Sequence, residues 1–209
     1  AGQCVNGNAF VFTDNSTIAS GTMSRSWTLG DGGTSTASPV NKTYALSGNY
    51  NVKLVVTGPN GCKDSATDIA MVYPKPQAGF TSNNQIQCYN NHLFVFTDAT
   101  TISSGTLTRT WDFGDGTTAG GVTVNKQYAS TGSYTVKLSV TSENGCTDNT
   151  TKSVTVNPSP SAGFSINNAT QCLNGNNFVF TNSTSGATGF SSSWRMGDGS
   201  TAATANASR

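Results

Sequence analysis

Tandem β-sandwich domains are the fold class this sequence predicts, on three observations. Apolar and polar residues alternate in short runs such as "YTVKLSV" at 134–140, the period of a strand with one buried face. Ser, Thr, Asn and Gly carry the surface polarity and Glu143 is the only Glu, a composition that suits pleated sheet and tight turns and disfavours helix. Finally, "QCVNGNAFVFTDNST" at 3–17 returns as "QCYNNHLFVFTDATT" at 87–101 and "QCLNGNNFVFTNSTS" at 171–185, a period of 84 residues. That period exceeds the roughly 20–50 residues of a solenoid repeat, so each copy is expected to close its own core.

The strands can be taken in order from the second copy. Phe94 and Phe96 face one side with Val95 opposite, and Trp111 and Phe113 share a face with Asp112 opposite. Tyr134, Val136, Leu138 and Val140 form an inward row, with Thr135, Lys137, Ser139 and Thr141 pointing out. "TSENGC" is a hairpin connection, because Asn-Gly supplies the left-handed backbone such turns need. Val154 and Val156 lie on a closing strand. About seven short strands per copy predict an all-β array of immunoglobulin-like sandwiches.

Boundaries fall at "YPKPQAGF" (73–80) and "NPSPSAGF" (157–164), where paired prolines deny the chain ladder hydrogen bonds. The expected domains are 1–75, lacking a first strand; 76–159, complete; and 160–209, an N-terminal half. The third copy stops before the counterpart of Tyr44 and Tyr128, which predicts half a core and a piece of a longer array. Trp27, Trp111 and Trp194 recur at spacings of 84 and 83, and their inward alternation assigns them to sandwich interiors rather than to sugar-stacking platforms.

Eleven basic residues against ten acidic ones leave no electrostatic footprint for nucleic acid or an anionic membrane. No apolar run reaches the roughly 18 residues of a membrane helix, so direct membrane insertion is not expected. His92, the only histidine, sits in a polar stretch and is expected at the surface. With one His, no close Cys pair and no phosphate-cradling loop ahead of a helix, nucleophilic and metal-hydrolytic catalysis lack parts, and no enzyme activity is predicted.

The cluster "WDFGDGTT" tests that exclusion. Asp112 has Thr28 and Arg195 at its counterparts, so a site built on it would survive in one copy of three. Asp31, Asp115 and Asp198 each stand between two glycines, and the expected role is a tight turn whose carboxylate accepts nearby backbone N–H groups. The competing reading is calcium held by Asp98 or Asp115 with loop carbonyls. An EF-hand loop begun at Asp112 fails, since its third position is Gly114 and its twelfth is Thr123.

"TWDFGDGT" followed by "VNKQYASTGSYTVKLSVTSENGC" resembles the polycystic kidney disease (PKD) domain, and "SWTLGDGG" with "VNKTYALSGNYNVKLVVTGPNGC" resembles it in the first copy. The resemblance implies a sandwich fold, an extracellular setting and a spacer or interaction role without catalysis. It also implies company: such modules occur in tandem in bacterial surface proteins and in secreted hydrolases, and some relatives bind calcium.

Cys4 and Cys62 are 58 residues apart, as are Cys88 and Cys146, while Cys172 has no mate in its copy. Because two cysteines accompany each complete copy, the expected bridges are Cys4–Cys62 and Cys88–Cys146, in an oxidising compartment. Two rivals keep the same repeat symmetry, Cys4–Cys146 and Cys62–Cys88. The functional expectation is a stalk or adhesin segment of a secreted or cell-surface protein, its neighbours further copies of the same domain and its ligands, if any, polysaccharide or another surface protein. The alternative is an accessory substrate-binding module of a secreted polysaccharide- or protein-degrading enzyme.

Overall fold

The computed structural model describes residues 1–208, and every regular element in it is a strand. The first repeat holds β1 (Gln3–Cys4), β2 (Phe10–Phe12), β3 (Ser24–Thr28), β4 (Thr34–Ser35), β5 (Val40–Lys42), β6 (Gly48–Thr57) and β7 (Lys63–Tyr73). They form a five-stranded sheet, β1-β7-β6-β3-β4, and a pair, β2-β5. The second repeat holds β8 (Phe80–Ser82), β9 (Ile86–Cys88), β10 (Phe94–Asp98), β11 (Leu107–Asp112), β12 (Thr118–Ala119), β13 (Thr123–Lys126), β14 (Gly132–Ser142) and β15 (Thr147–Asn157). Its sheets run β12-β11-β14-β15-β9 and β13-β10-β8. The third repeat holds β16 (Phe164–Ile166), β17 (Val179–Asn182), β18 (Trp194–Arg195), β19 (Thr201–Ala202) and β20 (Ala207–Ser208), in sheets β16-β17-β20 and β18-β19. This is an all-β chain of immunoglobulin-like sandwiches.

The chain gathers into two compact units. One takes Ala1–Ser82, Val95–Val124 and Thr135–Lys152, and the other takes Asn83–Phe94, Asn125–Tyr134 and the chain from Ser153 onward. In the first unit, period-two alternation puts Val52 and Leu54 inside β6 and leaves Asn51 and Lys53 out. Those two pack with Phe10, Trp27, Leu29, Val40, Tyr44, Ala70 and Val72. Also in that unit, Trp111 is fully buried, with Phe80 edge-on to it at 5.1 Å and Phe96 tilted against it at 6.0 Å.

Hairpin β6–β7 is a ladder of ten antiparallel pairs from Gly48↔Val72 to Thr57↔Lys63. Its tip is Asn60-Gly61, with Gly61 at φ +78°, a left-handed backbone that glycine adopts without strain. The "QC" strand itself lies at the far end of that hairpin: β1 pairs in parallel with β7, Cys4 opposite Tyr73. In the second unit β9 does the same on β15, Cys88 opposite Asn157.

His92 is buried, at 6 % exposure, contrary to its expected surface position. The Tyr128 N–H lies 2.7 Å from His92 Nε2, and Nδ1 lies 2.7 Å from the Tyr89 carbonyl. A backbone N–H can only donate, so Nε2 accepts and Nδ1–H donates, which is the neutral imidazole. In the first repeat Asn8 does the same work, accepting from the Tyr44 N–H and donating to the Val5 and Tyr44 carbonyls. A side chain with both a donor and an acceptor is what the position selects, and imidazole and carboxamide both qualify.

The third repeat keeps the ring triad, Phe164 and Trp194 at 5.6 Å and Phe180 and Trp194 at 6.0 Å. Among the described residues no counterpart of β14 or β15 follows β20, and the triad borders an apolar cleft of about 790 Å³ that also takes in Phe190 and Met196.

Candidate functional site

Two sets of recurring polar residues are candidates for function, the Gly-Asp-Gly turns and the junction between the first two repeats. In the turns of the first two repeats, the first glycine is forced by close approach. A Cβ on Gly30 would sit 2.8 Å from the Asn51 nitrogen, and one on Gly114 2.6 Å from the Thr135 carbonyl oxygen, both at positive φ. The aspartate then folds back on the chain. Asp31 Oδ1 accepts the Gly33 N–H at 3.0 Å; Asp115 Oδ1 accepts the Thr117 N–H at 3.1 Å and its hydroxyl at 2.6 Å; Asp198 Oδ1 accepts the Ser200 N–H at 3.0 Å and its hydroxyl at 2.6 Å. Lys42 pairs with Asp31, and its hydrogen bond, followed by that of Gly33, holds the Asp31 carboxyl below the ordinary carboxylate range. The Asp112 carboxylate accepts the Gly114 N–H at 2.9 Å.

Each tryptophan is anchored by its indole N–H ten residues ahead, Trp27 to the Ala37 carbonyl, Trp111 to Gly121 and Trp194 to Thr204. Tyr44 stacks on Tyr50 at 3.9 Å and donates to the Leu29 carbonyl. Burial first, then Asp31 and Tyr50, push its phenol up to about 12.

Asp98 has both carboxylate oxygens engaged. Arg109 Nε pairs with Oδ2, and the Thr100 N–H donates to Oδ1 at 2.8 Å. Burial pushes its carboxyl up, but the Thr100 hydrogen bonds and Arg109 outweigh that and leave it below the ordinary range. The first repeat repeats the pair as Asp14 and Arg25 at 2.9 Å, and the third replaces it with Asn182 donating to the Ser192 hydroxyl at 2.7 Å. Among the described residues no three His, Cys, Asp or Glu side chains are grouped so as to hold a metal ion.

The cysteines correct the expected pairing. Cys4 is bonded to Cys146, Cα to Cα 5.6 Å, across two repeats, while Cys62, Cys88 and Cys172 are free and exposed. The hairpin explains why Cys4–Cys62 does not form. Cys4 lies beside Tyr73 at one end of β7, Cys62 just beyond Lys63 at the other, and ten strand residues span about 33 Å. A disulfide needs Cα atoms within roughly 7 Å. Cys88–Cys146 is excluded outright, because Cys146 is already bonded.

Around that bridge the linker is held by residues the sequence did not flag. Lys75 Nζ pairs with Asp148 Oδ1 at 2.7 Å, the Ala78 N–H donates to Asp148 Oδ2 at 2.8 Å, and Pro76 is fully buried. Those two contacts, Lys75 first, lower the Asp148 carboxyl. Gln77 then bridges Thr101, so only three residues separate the end of β7 from paired structure in the next repeat. The available signal was that Asp64 and Asp148 both stand two residues past an Asn-Gly-Cys. No helix among the described residues is long and apolar enough to cross a membrane.

Comparison with known proteins places these features in a family. Residues 3–72 and 73–158 each match the PKD domain profile. The chain is 32% identical to the collagenase ColA of Clostridium perfringens (strain 13 / Type A) over 123 residues, which is 59% of this chain and 11% of that protein. The crystal structure of the PKD1 domain of Vibrio anguillarum Epp is matched at 28% identity over 39% of this chain and 93% of that domain, with a TM-score of 0.35. The PKD1 domain of the Vibrio cholerae metalloprotease PrtV is matched at 26% identity over 39% of this chain and 96% of that domain, also at 0.35. With two consecutive segments matched and together spanning most of its length, the chain belongs to the PKD domain family.

Proposed function

We propose that this chain is a non-catalytic spacer segment of a secreted or cell-surface protein, in which each sequence copy, 1–75, 76–159 and 160–209, is one domain of a tandem array. The observation that carries the reading is the junction of the first two repeats. A disulfide, an ion pair and a three-residue connection act on the same few residues, a set of constraints that resists bending and extension under load. The disulfide supports an oxidising, extracellular location. Each copy adds about 33 Å of reach if its ten-residue strands run along the array, and the low charge keeps that length weakly interacting with nucleic acid and anionic lipid. The Gly-Asp-Gly aspartates and the tryptophans are structural on this reading, and Asp98 and Asp115 serve Arg109 and the backbone rather than calcium.

The likeness to a collagenase favours a second reading, an accessory module that binds polymer substrate beside a catalytic domain. Co-sedimentation of the chain with insoluble collagen, chitin or cellulose separates the two. The spacer predicts that the protein stays in the supernatant with all three; retention on any of them supports the accessory role.

A further inference from the structure

Five cysteines fall into two positional classes. Cys4, Cys88 and Cys172 each follow a Gln at the start of a copy, and Cys62 and Cys146 each follow Asn-Gly at a hairpin tip. The one bond formed, Cys4 to Cys146, joins the first class in one repeat to the second class in the next. We propose that Cys88 is a second cross-linking site of the same kind, forming a disulfide with the Asn-Gly-Cys thiol of another PKD repeat.

Backbone geometry at the two positions is the same. Cys4 ends β1 opposite Tyr73, and the next residue, Val5, donates its N–H to the Tyr73 carbonyl at 2.9 Å. Cys88 ends β9 opposite Asn157, and Tyr89 donates to the Asn157 carbonyl at 2.8 Å. In each case the cysteine sits beside the last residue of the hairpin, where the chain leaves for the following repeat. The following repeats also begin alike. Gln77 bridges Thr101 and Ala99 N–H donates to the Gly79 carbonyl; Ser161 bridges Ser185 and Ser183 N–H donates to the Gly163 carbonyl. The thiol of Cys88 is exposed and unbonded, and Cys146, its companion in the copy, is already taken. The same rule assigns Cys62 to a Gln-Cys thiol and Cys172 to an Asn-Gly-Cys thiol, so every cysteine has one class of mate.

The oxidant is a low-molecular-weight disulfide such as oxidised glutathione. The Cys88 thiolate attacks one of its sulfurs and releases one small thiolate; the Asn-Gly-Cys thiolate then attacks the Cys88 sulfur and releases the second. Two protein thiols are oxidised to one disulfide, one small disulfide is reduced to two thiols, and the protons lost from the protein end on those thiols. The cross-link does not depend on whether the array spaces a domain or binds a substrate.

The test is peptide mapping of the natural protein isolated from its host without reductant, its free thiols blocked with a maleimide. Cys88 should take up at least about tenfold less maleimide before reduction than after, and its peptide should be joined to one containing Asn-Gly-Cys. A linked species at single-chain mass on a non-reducing gel assigns the mate to the same chain, and a ladder of multiples assigns it to a second copy, such as its Cys62. Cys88→Ser should abolish that peptide pair and leave Cys4–Cys146 intact. Full labelling of Cys88 before reduction, or a link to any peptide without Asn-Gly-Cys, overturns the proposal.

Discussion

The second and third repeats place the same three rings at matching spacing, Phe80, Phe96 and Trp111 in one and Phe164, Phe180 and Trp194 in the other, yet the two triads differ in what surrounds them. Their centroid distances agree within half an ångström or so, 5.1 and 6.0 Å to the tryptophan in one, 5.6 and 6.0 Å in the other. Trp111 is wholly inaccessible and Phe80 is 3 % exposed, whereas Trp194 is half-buried and Phe164 is 63 % exposed. Ring placement is therefore local, set by the pairing of β8 with β10 and of β16 with β17 and by the indole anchor ten residues ahead. Burial is not local. It waits for β14, which in the second repeat lays Leu138 opposite Trp111 and has no counterpart among the described residues of the third.

The largest expected effect breaks that contrast directly. Trp111→Ala should cost about 4 kcal/mol, the range for emptying a large buried aromatic site, and Trp194→Ala clearly less. Denaturant unfolding followed by far-UV circular dichroism reads both, and equal losses would show that Trp194 is as enclosed as Trp111. The next effect concerns the bond that closes a loop of 142 residues. Cys146→Ser should lower stability by about 3 kcal/mol, the ordinary loss for a native disulfide, and calorimetry should show it. Cys62→Ser, at an exposed free thiol, should leave the melting temperature where it was.

Much of this was legible in the sequence, and the parts that were not share a cause. The 84-residue period, the inward rows and the hairpin tips follow from local alternation and turn chemistry. The disulfide partner does not, since bonding within a copy and bonding to the next copy leave the same cysteines at the same repeat positions. What decides is the length of the β6–β7 ladder, which carries Cys62 far from Cys4. His92 was misjudged because a polar stretch suggests solvent. Asn8 and Asn176 at its counterparts held the missing signal, two more side chains that both donate and accept. The Lys75–Asp148 contact joins residues from different copies: comparing the copies marks Asp148 as recurring, with Asp64, but does not name its partner.

A smaller effect is expected where the repeats differ in charge. Asp98→Asn leaves Arg109 facing an amide in a site where the Asp98 side chain is 3 % exposed, and should cost about 2 kcal/mol. Adding Arg109→Ser copies the Asn182–Ser192 pair and should recover most of it; no recovery would mean the neutral pair needs other changes around it. The pH dependence has a definite sign. The folded carboxyl of Asp98 titrates below its unfolded value near about 3.9, so its contribution is complete above that pH and is lost as pH falls through the folded value. Acid unfolding below about pH 4 should accordingly be shallower in Asp98→Asn. The smallest effect is at the turns. Asp115→Ala should cost about 1 kcal/mol, the worth of a turn hydrogen bond, with the same melting temperature in calcium and in EDTA; a calcium-dependent shift in the parent protein would return that carboxylate to the metal reading.

The account turns on the covalent link between successive repeats, and tryptic mapping of the unreduced chain tests it most directly. The predicted product is one disulfide joining the peptide 1–25, which contains Cys4, to the peptide 138–152, which contains Cys146. Recovery of 1–25 joined instead to 54–63, which contains Cys62, would close each repeat on itself and contradict it.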